Sequence, residues 1–254
     1  MTFFELREPV SAGTHALWLF LSLPATLILW RRSGPDRGRR LSLLVYGLSL
    51  ACCYAGSALF HGVPFARPKL ELYDRLDHVG IFLLIAGSYT PIAWNLMRAR
   101  WRFGVLASAW GVAAIGSTMI LSAGIMPPLL NTAIYLGMGW GAIFCYVEMA
   151  HYLPHRRLFP LVLGGVFYSV GAVLNLLRWP VVVPGVFGPH ETFHLFVMAG
   201  SLSHYLFMLR VVLPAGPLPA VPDRVPGAIT LPSPPARSWF GRLQPVQVRS
   251  NPPG

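Results

Sequence analysis

The sequence predicts an all-α integral membrane protein, a bundle of seven transmembrane helices with an intramembrane metal site. The chain of 254 residues is 54% hydrophobic and only 11% charged, whereas a soluble domain carries about 25% charged residues. Seven apolar stretches approach or exceed the length of about 20 helical residues that crosses the hydrocarbon core of a bilayer. A few ionisable residues interrupt these stretches, and ionisable residues within membrane segments indicate function.

The seven predicted spans follow one another along the chain with short polar or proline-rich breaks between them. They cover approximately residues 11–30, 41–63, 76–97, 103–123, 129–153, 158–177 and 190–213. The chain therefore divides into a seven-helix transmembrane domain over residues 1–213 and a tail over residues 214–254. The tail holds 11 of the 24 prolines and shows no helical periodicity, so we expect it to be disordered.

The positive charges are distributed as in the loops of a membrane protein. The 20 basic residues are 19 arginines and Lys69, and they lie between the apolar runs, which argues against a nucleic-acid partner. The first, third and fifth loops, the tail and Arg210 at the end of the last span together carry 15 of them, against five for the N-terminus and the other loops. The positive-inside rule then predicts a multi-pass protein of the cell membrane with an outside N-terminus and a cytoplasmic C-terminus.

Three short motifs place polar residues at the ends of spans: S-A-L-F-H at 57–61, L-D-H-V-G-I at 76–81 and H-E-T-F-H at 190–194. With seven spans, the end of the second and the starts of the third and seventh share one side of the membrane. His190 and His194 are one helical turn apart and project together, as Ser57 and His61 do. Three imidazoles with one open position are typical of catalytic zinc, and Asp77 is suited to hold or deprotonate a water there.

The other histidines are given a simpler interpretation. A single histidine at a helix end is usually interfacial or hydrogen-bonded within the fold. We assign this class to His15, His78, His151, His155 and His204. His204 lies ten residues beyond His194, so it could flank the site without being a ligand.

The H-E-T-F-H motif also matches the zinc-protease pattern H-E-x-x-H, in which the glutamate is the general base. One extended form of that pattern requires glycine at position 197 and histidine at position 200, where this chain has Val197 and Gly200. Other forms use an acidic ligand downstream, and the only acid downstream of Glu191 is Asp223, in the tail. The third ligand must therefore come from upstream, which disfavours a protease.

Taken together, the three motifs and T-H-A at 14–16 resemble the hemolysin III family over about residues 5–210. That family belongs with the progestin and adipoQ receptors, which include the adiponectin receptors, and more distantly with the alkaline ceramidases. The resemblance implies a seven-helix bundle that holds zinc through three histidines, with an aspartate that holds the zinc-bound water and a serine nearby. On this chain these residues are His61, His190, His194, Asp77 and Ser57.

The resemblance also leaves two points open. It gives Glu191 no inherited role, because the family does not require an acid at that position. Adiponectin receptors have a cytoplasmic N-terminus, which is the opposite of the orientation that the arginine count favours.

The function expected from these residues is hydrolysis of a lipid amide, such as a ceramide-like molecule, by zinc-activated water. Membrane lipids are then the expected substrates or ligands, and Ser57 would stabilise the oxyanion. A non-enzymatic receptor or sensor with a structural zinc is the first alternative. A haemolytic pore is the second, although a pore needs a polar face along whole helices and the polar residues here cluster at one depth.

Overall fold

The computed structural model of the protein describes residues 6–216, and within that range the chain is all α-helical apart from one isolated β-bridge. Seven of its described segments are long and apolar enough to cross a membrane, as the sequence predicts. The helices are α1 Pro9–Arg32, α2 Arg37–Gly62, α3 Arg67–Leu96, α4 Ala99–Ala123, α5 Pro128–Trp140, α6 Ala142–Ala150, α7 His155–Leu176 and α8 Pro189–Phe207. A π-helical turn, Met208–Val212, extends α8. The predicted disorder of the tail concerns residues that, from 217 onward, lie outside the described range.

The third helix begins nine residues before its predicted span. Residue 66 is extended, and Pro68 stands in the first turn of α3, where the missing N–H of proline costs nothing. The polar stretch that follows is helical, although its hydropathy gave no reason to include it in a span. Asp77 therefore lies inside α3 with helix on both sides, and does not open the helix as the sequence suggested.

The fifth span is broken at Gly141 into α5 and α6. The hydroxyl of Tyr89 in α3 donates to the carbonyl of Met138 at 2.6 Å, which gives a partner to one of the carbonyls freed at the end of α5. A Cβ atom at position 141 would lie 3.0 Å from the same hydroxyl. Glycine is therefore suited to this position, where the chain passes close to Tyr89.

Small residues allow α2 and α3 to cross closely. A Cβ atom at Gly80 would lie only 2.8 Å from the Cα of Cys53, and one at Gly87 would overlap the side chain of Ser49. Close backbone approach at small residues is a main source of helix association in membranes. This crossing brings the middle of α3, with Asp77, against the end of α2, with His61.

A buried polar network joins α1, α2 and α8. The indole N–H of Trp18 donates to the hydroxyl oxygen of Ser201 at 3.1 Å, and the hydroxyl of Tyr54 lies 2.5 Å from that oxygen. Tyr54 and Ser201 are both buried, so these bonds fix the three helices relative to one another. The same three helices carry most of the polar residues of the site described next.

Candidate metal centre

The three histidines predicted as metal ligands lie together. One ring nitrogen from each of His61, His190 and His194 falls within 4.8 Å of the other two. The Nε2 atoms of His61 and His190 are 3.1 Å apart, and the rings of His190 and His194 are 4.5 Å apart between centroids. His61 and His194 are almost completely buried. The cluster could therefore hold a metal ion away from solvent.

The spacing of these nitrogens fits a tetrahedral zinc ion. Zinc binds histidine nitrogen at about 2.0–2.1 Å, so tetrahedral ligand nitrogens lie about 3.3 Å apart. The His61–His190 separation is already close to that value, and the separations to His194, at no more than 4.8 Å, need only small side-chain movements. Three imidazoles without a thiolate suit zinc, copper, iron or nickel better than magnesium or calcium.

His61 is held in place by Glu8, which the sequence analysis did not identify. Oε2 of Glu8 lies 2.5 Å from Nδ1 of His61, and the backbone N–H of Glu8 donates to the carbonyl of His61 at 2.9 Å. The side-chain contact also holds the pKa of Glu8 below its ordinary value. Because Nδ1 is engaged, Nε2 of His61 is the nitrogen that faces His190. Metal-binding histidines commonly donate their other N–H to a carboxylate in this way.

Asp77 and Ser57, the two predicted catalytic residues, lie beside the histidines. Oδ2 of Asp77 is 3.6 Å from Nε2 of His61, which is too long for a hydrogen bond but places the carboxylate next to the imidazole ring. Ser57 is 1% exposed, and its hydroxyl has no hydrogen-bond partner among the described residues. Both side chains line the same cavity.

Glu191, the acidic residue of H-E-x-x-H, connects two helices. Oε2 of Glu191 accepts from the backbone N–H of Gly188 at 2.8 Å, which caps the N-terminus of α8. Oε1 accepts from the hydroxyl of Ser11 in α1, also at 2.8 Å. Both carboxylate oxygens are therefore occupied by contacts that fix the start of α8, which explains the residue without a role in proton transfer.

His15 is not the interfacial residue that we expected from its position. It is 4% exposed, and its ring stacks on that of His194 with centroids 3.6 Å apart and an angle of 9° between the planes. The ring also meets Tyr54 edge-on at 5.1 Å. Neither ring nitrogen has a hydrogen-bond partner among the described residues. His15 is the only histidine on its helix, so nothing in the local sequence indicates this contact with α8.

The remaining candidates lie apart from the cluster and are explained by local contacts. Nδ1 of His78 lies 3.0 Å from the carbonyl oxygen of Asp74, and Nε2 of His204 lies 3.2 Å from that of Leu161. Nδ1 of His151 and Nδ1 of His155 are likewise engaged, by a backbone carbonyl and by a tyrosine hydroxyl. These contacts fit the structural role expected for all four.

An apolar cavity of about 560 Å³ adjoins the cluster. Most of its wall is built from α3, α5, α6, α7 and α8, with smaller contributions from α1 and α2, and most of the lining side chains are aliphatic or aromatic. His15, Ser57, Asp77, His190 and His194 form the polar part of the wall at the histidine cluster. The volume is in the range of about 300–1,000 Å³ that is typical of small-molecule sites.

The fold and the site together define a class of multi-pass membrane protein: a bundle of seven membrane-spanning segments with a largely buried histidine cluster that could bind a metal. Residues 3–205 match the family model described as "Haemolysin-III related". The chain therefore belongs to the haemolysin-III related family.

The chain is also similar to individual proteins across bacteria, animals and plants. It is 33% identical to "Hemolysin-3" of Bacillus cereus, over 84% of this chain and 95% of that protein. It is 27% identical to "Monocyte to macrophage differentiation factor" of Homo sapiens, over 76% of this chain and 79% of that protein. It is 26% identical to "Heptahelical transmembrane protein ADIPOR2" of Oryza sativa subsp. japonica, over 68% of this chain and 81% of that protein. The relation to both hemolysin-3 and adiponectin receptor-like proteins that the motifs suggested is confirmed.

Proposed function

We propose that this protein is a zinc-dependent membrane hydrolase that cleaves lipid amides. The observation that carries the proposal is the position of the cluster: three imidazole nitrogens within 4.8 Å of one another, two of them from buried side chains, lie beside an aspartate at the wall of an apolar cavity. A structural metal needs neither the acid nor the cavity, whereas a hydrolase for an apolar substrate needs both.

Different residues of this chain would bind the metal and transfer the proton. His61, His190 and His194 would hold zinc, which supplies Lewis acidity and lowers the pKa of water. Asp77 takes up the proton released when water adds to the amide carbonyl, and its Oδ2 is the closest carboxylate oxygen to the His61 ring on the cavity side. The proton then passes to the departing nitrogen as the C–N bond breaks, so that the products are a carboxylic acid and an amine.

Ser57 has a separate task. Its hydroxyl is buried without a partner among residues 6–216 and lines the cavity one helical turn before His61. It donates a hydrogen bond to the carbonyl oxygen as negative charge develops there, and loss of one such donor typically costs about 10²–10³ in kcat.

A lipid substrate is favoured by the setting of the cavity. Its lining is mainly aliphatic and aromatic, and it lies within helices apolar enough to span a membrane. An acyl chain can therefore occupy the apolar part while the amide lies against the polar part. A water-soluble amide would gain no binding free energy from contact with this apolar lining.

Purified protein tests the proposal with a panel of N-acyl lipid amides. The wild type should release free fatty acid, and Asp77→Asn should lower kcat by at least about 10², the lower end of the contribution of a general base, with zinc content unchanged. Asp74→Asn is the matched control, because Asp74 lies one turn away on α3 and contacts His78 rather than His61.

One result would count against hydrolysis, and another against the role of Asp77. Absence of turnover in a zinc-loaded wild type across the panel would leave the receptor with a structural zinc as the better account. Equal turnover by Asp77→Asn and the wild type would remove Asp77 from the reaction.

A further inference from the structure

One of the histidines that line the cavity, His15, has no place in the reaction outlined above. It lies on α1, lines the cavity and is 4% exposed. A neutral imidazole carries one N–H donor and one acceptor nitrogen. Neither nitrogen of His15 has a hydrogen-bond partner among the described residues, and buried polar atoms in native proteins are nearly always paired.

The stacking geometry argues against His15 as a further ligand of the same ion. An imidazole binds a metal in the plane of its ring, through the lone pair of a nitrogen. The rings of His15 and His194 are 9° from parallel with centroids 3.6 Å apart. The lone pairs of their nitrogens therefore lie in two parallel planes and do not converge on one ion. The set of nitrogens close enough to share an ion contains His61, His190 and His194 and does not include His15.

Packing alone does not explain a histidine at this position. The faces of the ring contact His194 and Tyr54, and phenylalanine would supply the same contacts without burying two polar atoms. Ser57 lines the same cavity with its hydroxyl also unpartnered among the described residues. Two unpaired polar side chains from α1 and α2 therefore meet one apolar cavity beside the metal centre.

We propose that His15 binds the polar head group of a single-chain lipid in the cavity, through a hydrogen bond from or to its imidazole. The lipid chain occupies the apolar part of the cavity, and His15 selects lipids whose head group can form a hydrogen bond. This inference rests on the proposed function, because it assigns the lipid hydrolase a residue for substrate specificity. The binding of the head group to His15 can nevertheless be measured without turnover.

A pair of probes that cannot be hydrolysed separates this role from catalysis. Hexadecan-1-ol has a hydroxyl that both donates and accepts, while hexadecane has the same chain and no polar group. Binding of each to the full-length protein in nanodiscs is measured from competition with a fluorescent fatty alcohol and from the ligand-induced rise in Tm. Because neither probe contains an amide, the result stands whether or not the protein is a hydrolase.

His15→Phe is the informative variant, because it keeps an aromatic ring against His194 and removes both nitrogens. We expect its affinity for hexadecan-1-ol to fall about tenfold, equal to about 1.4 kcal/mol, with hexadecane affinity and zinc content unchanged. His15→Gln, which keeps a donor and an acceptor, should recover most of the alcohol affinity. His15→Leu answers the same question if the Phe variant does not fold.

His204→Phe is the matched control, since His204 lines the same cavity but already has a backbone partner. It should leave the preference for the alcohol over the alkane unchanged. An equal change for both probes in His15→Phe, an unchanged alcohol affinity, or loss of zinc from that variant would each overturn the proposal.

Discussion

Oε2 of Glu8 lies 2.5 Å from Nδ1 of His61, and the backbone N–H of the same glutamate donates to the carbonyl of His61. The residue that precedes α1 therefore fixes the last turn of α2, 53 positions away in the chain. The contact selects which nitrogen of His61 faces the other two histidines. It makes the segment before the first membrane helix part of the surroundings of the histidine cluster.

Glu8→Gln should weaken zinc binding without removing it. Loss of a carboxylate that orients a metal-binding histidine typically costs about 10–100-fold in metal affinity. Competition with a zinc chelator measures the change in the purified protein. Glu71→Gln is the matched control, because Glu71 is an exposed glutamate on α3. Equal zinc affinity in Glu8→Gln and the wild type would show that the contact has no influence on the metal.

Glu191→Ala should lower stability while leaving zinc and turnover in place. The change removes the cap of α8 and the bond from Ser11, and loss of a helix cap costs about 0.5–2 kcal/mol. Thermal unfolding of Glu191→Ala, Ser11→Ala and the double variant measures the coupling between the two residues. A folded, zinc-loaded Glu191→Ala protein without turnover would instead restore the glutamate as a general base.

Gly80→Val should disturb the site through the packing of α2 against α3. The added side chain would meet the backbone of Cys53, and overpacking of this kind costs about 1–3 kcal/mol. We expect a lower Tm and weaker zinc binding, because Asp77 and His61 are brought together by this crossing. Gly111→Val is the control, since a Cβ atom there meets nothing within 4 Å. Identical behaviour of the two variants would refute the packing argument.

Glu148→Ala should destabilise the other end of the bundle. Glu148 is 8% exposed, and its Oε1 lies 3.2 Å from Nε of Arg98, so the two side chains form an ion pair. Loss of a partly exposed ion pair such as this one costs up to about 1 kcal/mol. His151→Ala, at an exposed position one turn on, should leave Tm unchanged. A Tm of Glu148→Ala equal to that of the wild type would show that the pair contributes nothing.

Much of this organisation could be predicted from the sequence because hydropathy and helical spacing act locally. A run of about 20 apolar residues must span as a helix, and His190 and His194 share a face because they are four residues apart. Because one span ends on the side of the membrane where the next begins, His61 at the end of the second span and Asp77 at the start of the third lie on the same side. No distance information was needed for any of these steps.

The missed features depend on contacts between distant segments. Glu8 precedes the first span and is not distinguished from any other flanking acid until α1 and α2 are packed together. His15 was judged alone, and its stacking on His194 joins residues 179 positions apart in the chain. The break at Gly141 depends on the hydroxyl of Tyr89 from another helix. The first turns of α3 are polar, so hydropathy does not predict that they belong to the helix.

Metal analysis of the purified wild-type protein and of its histidine variants tests the central claim most directly. We expect one zinc per chain in the wild type and its loss in His61→Ala, His190→Ala and His194→Ala, because each removes one of the three clustered nitrogens. His151→Ala, whose ring bonds a backbone carbonyl at the surface, should retain the metal. Zinc content that is the same in all five proteins would contradict the account.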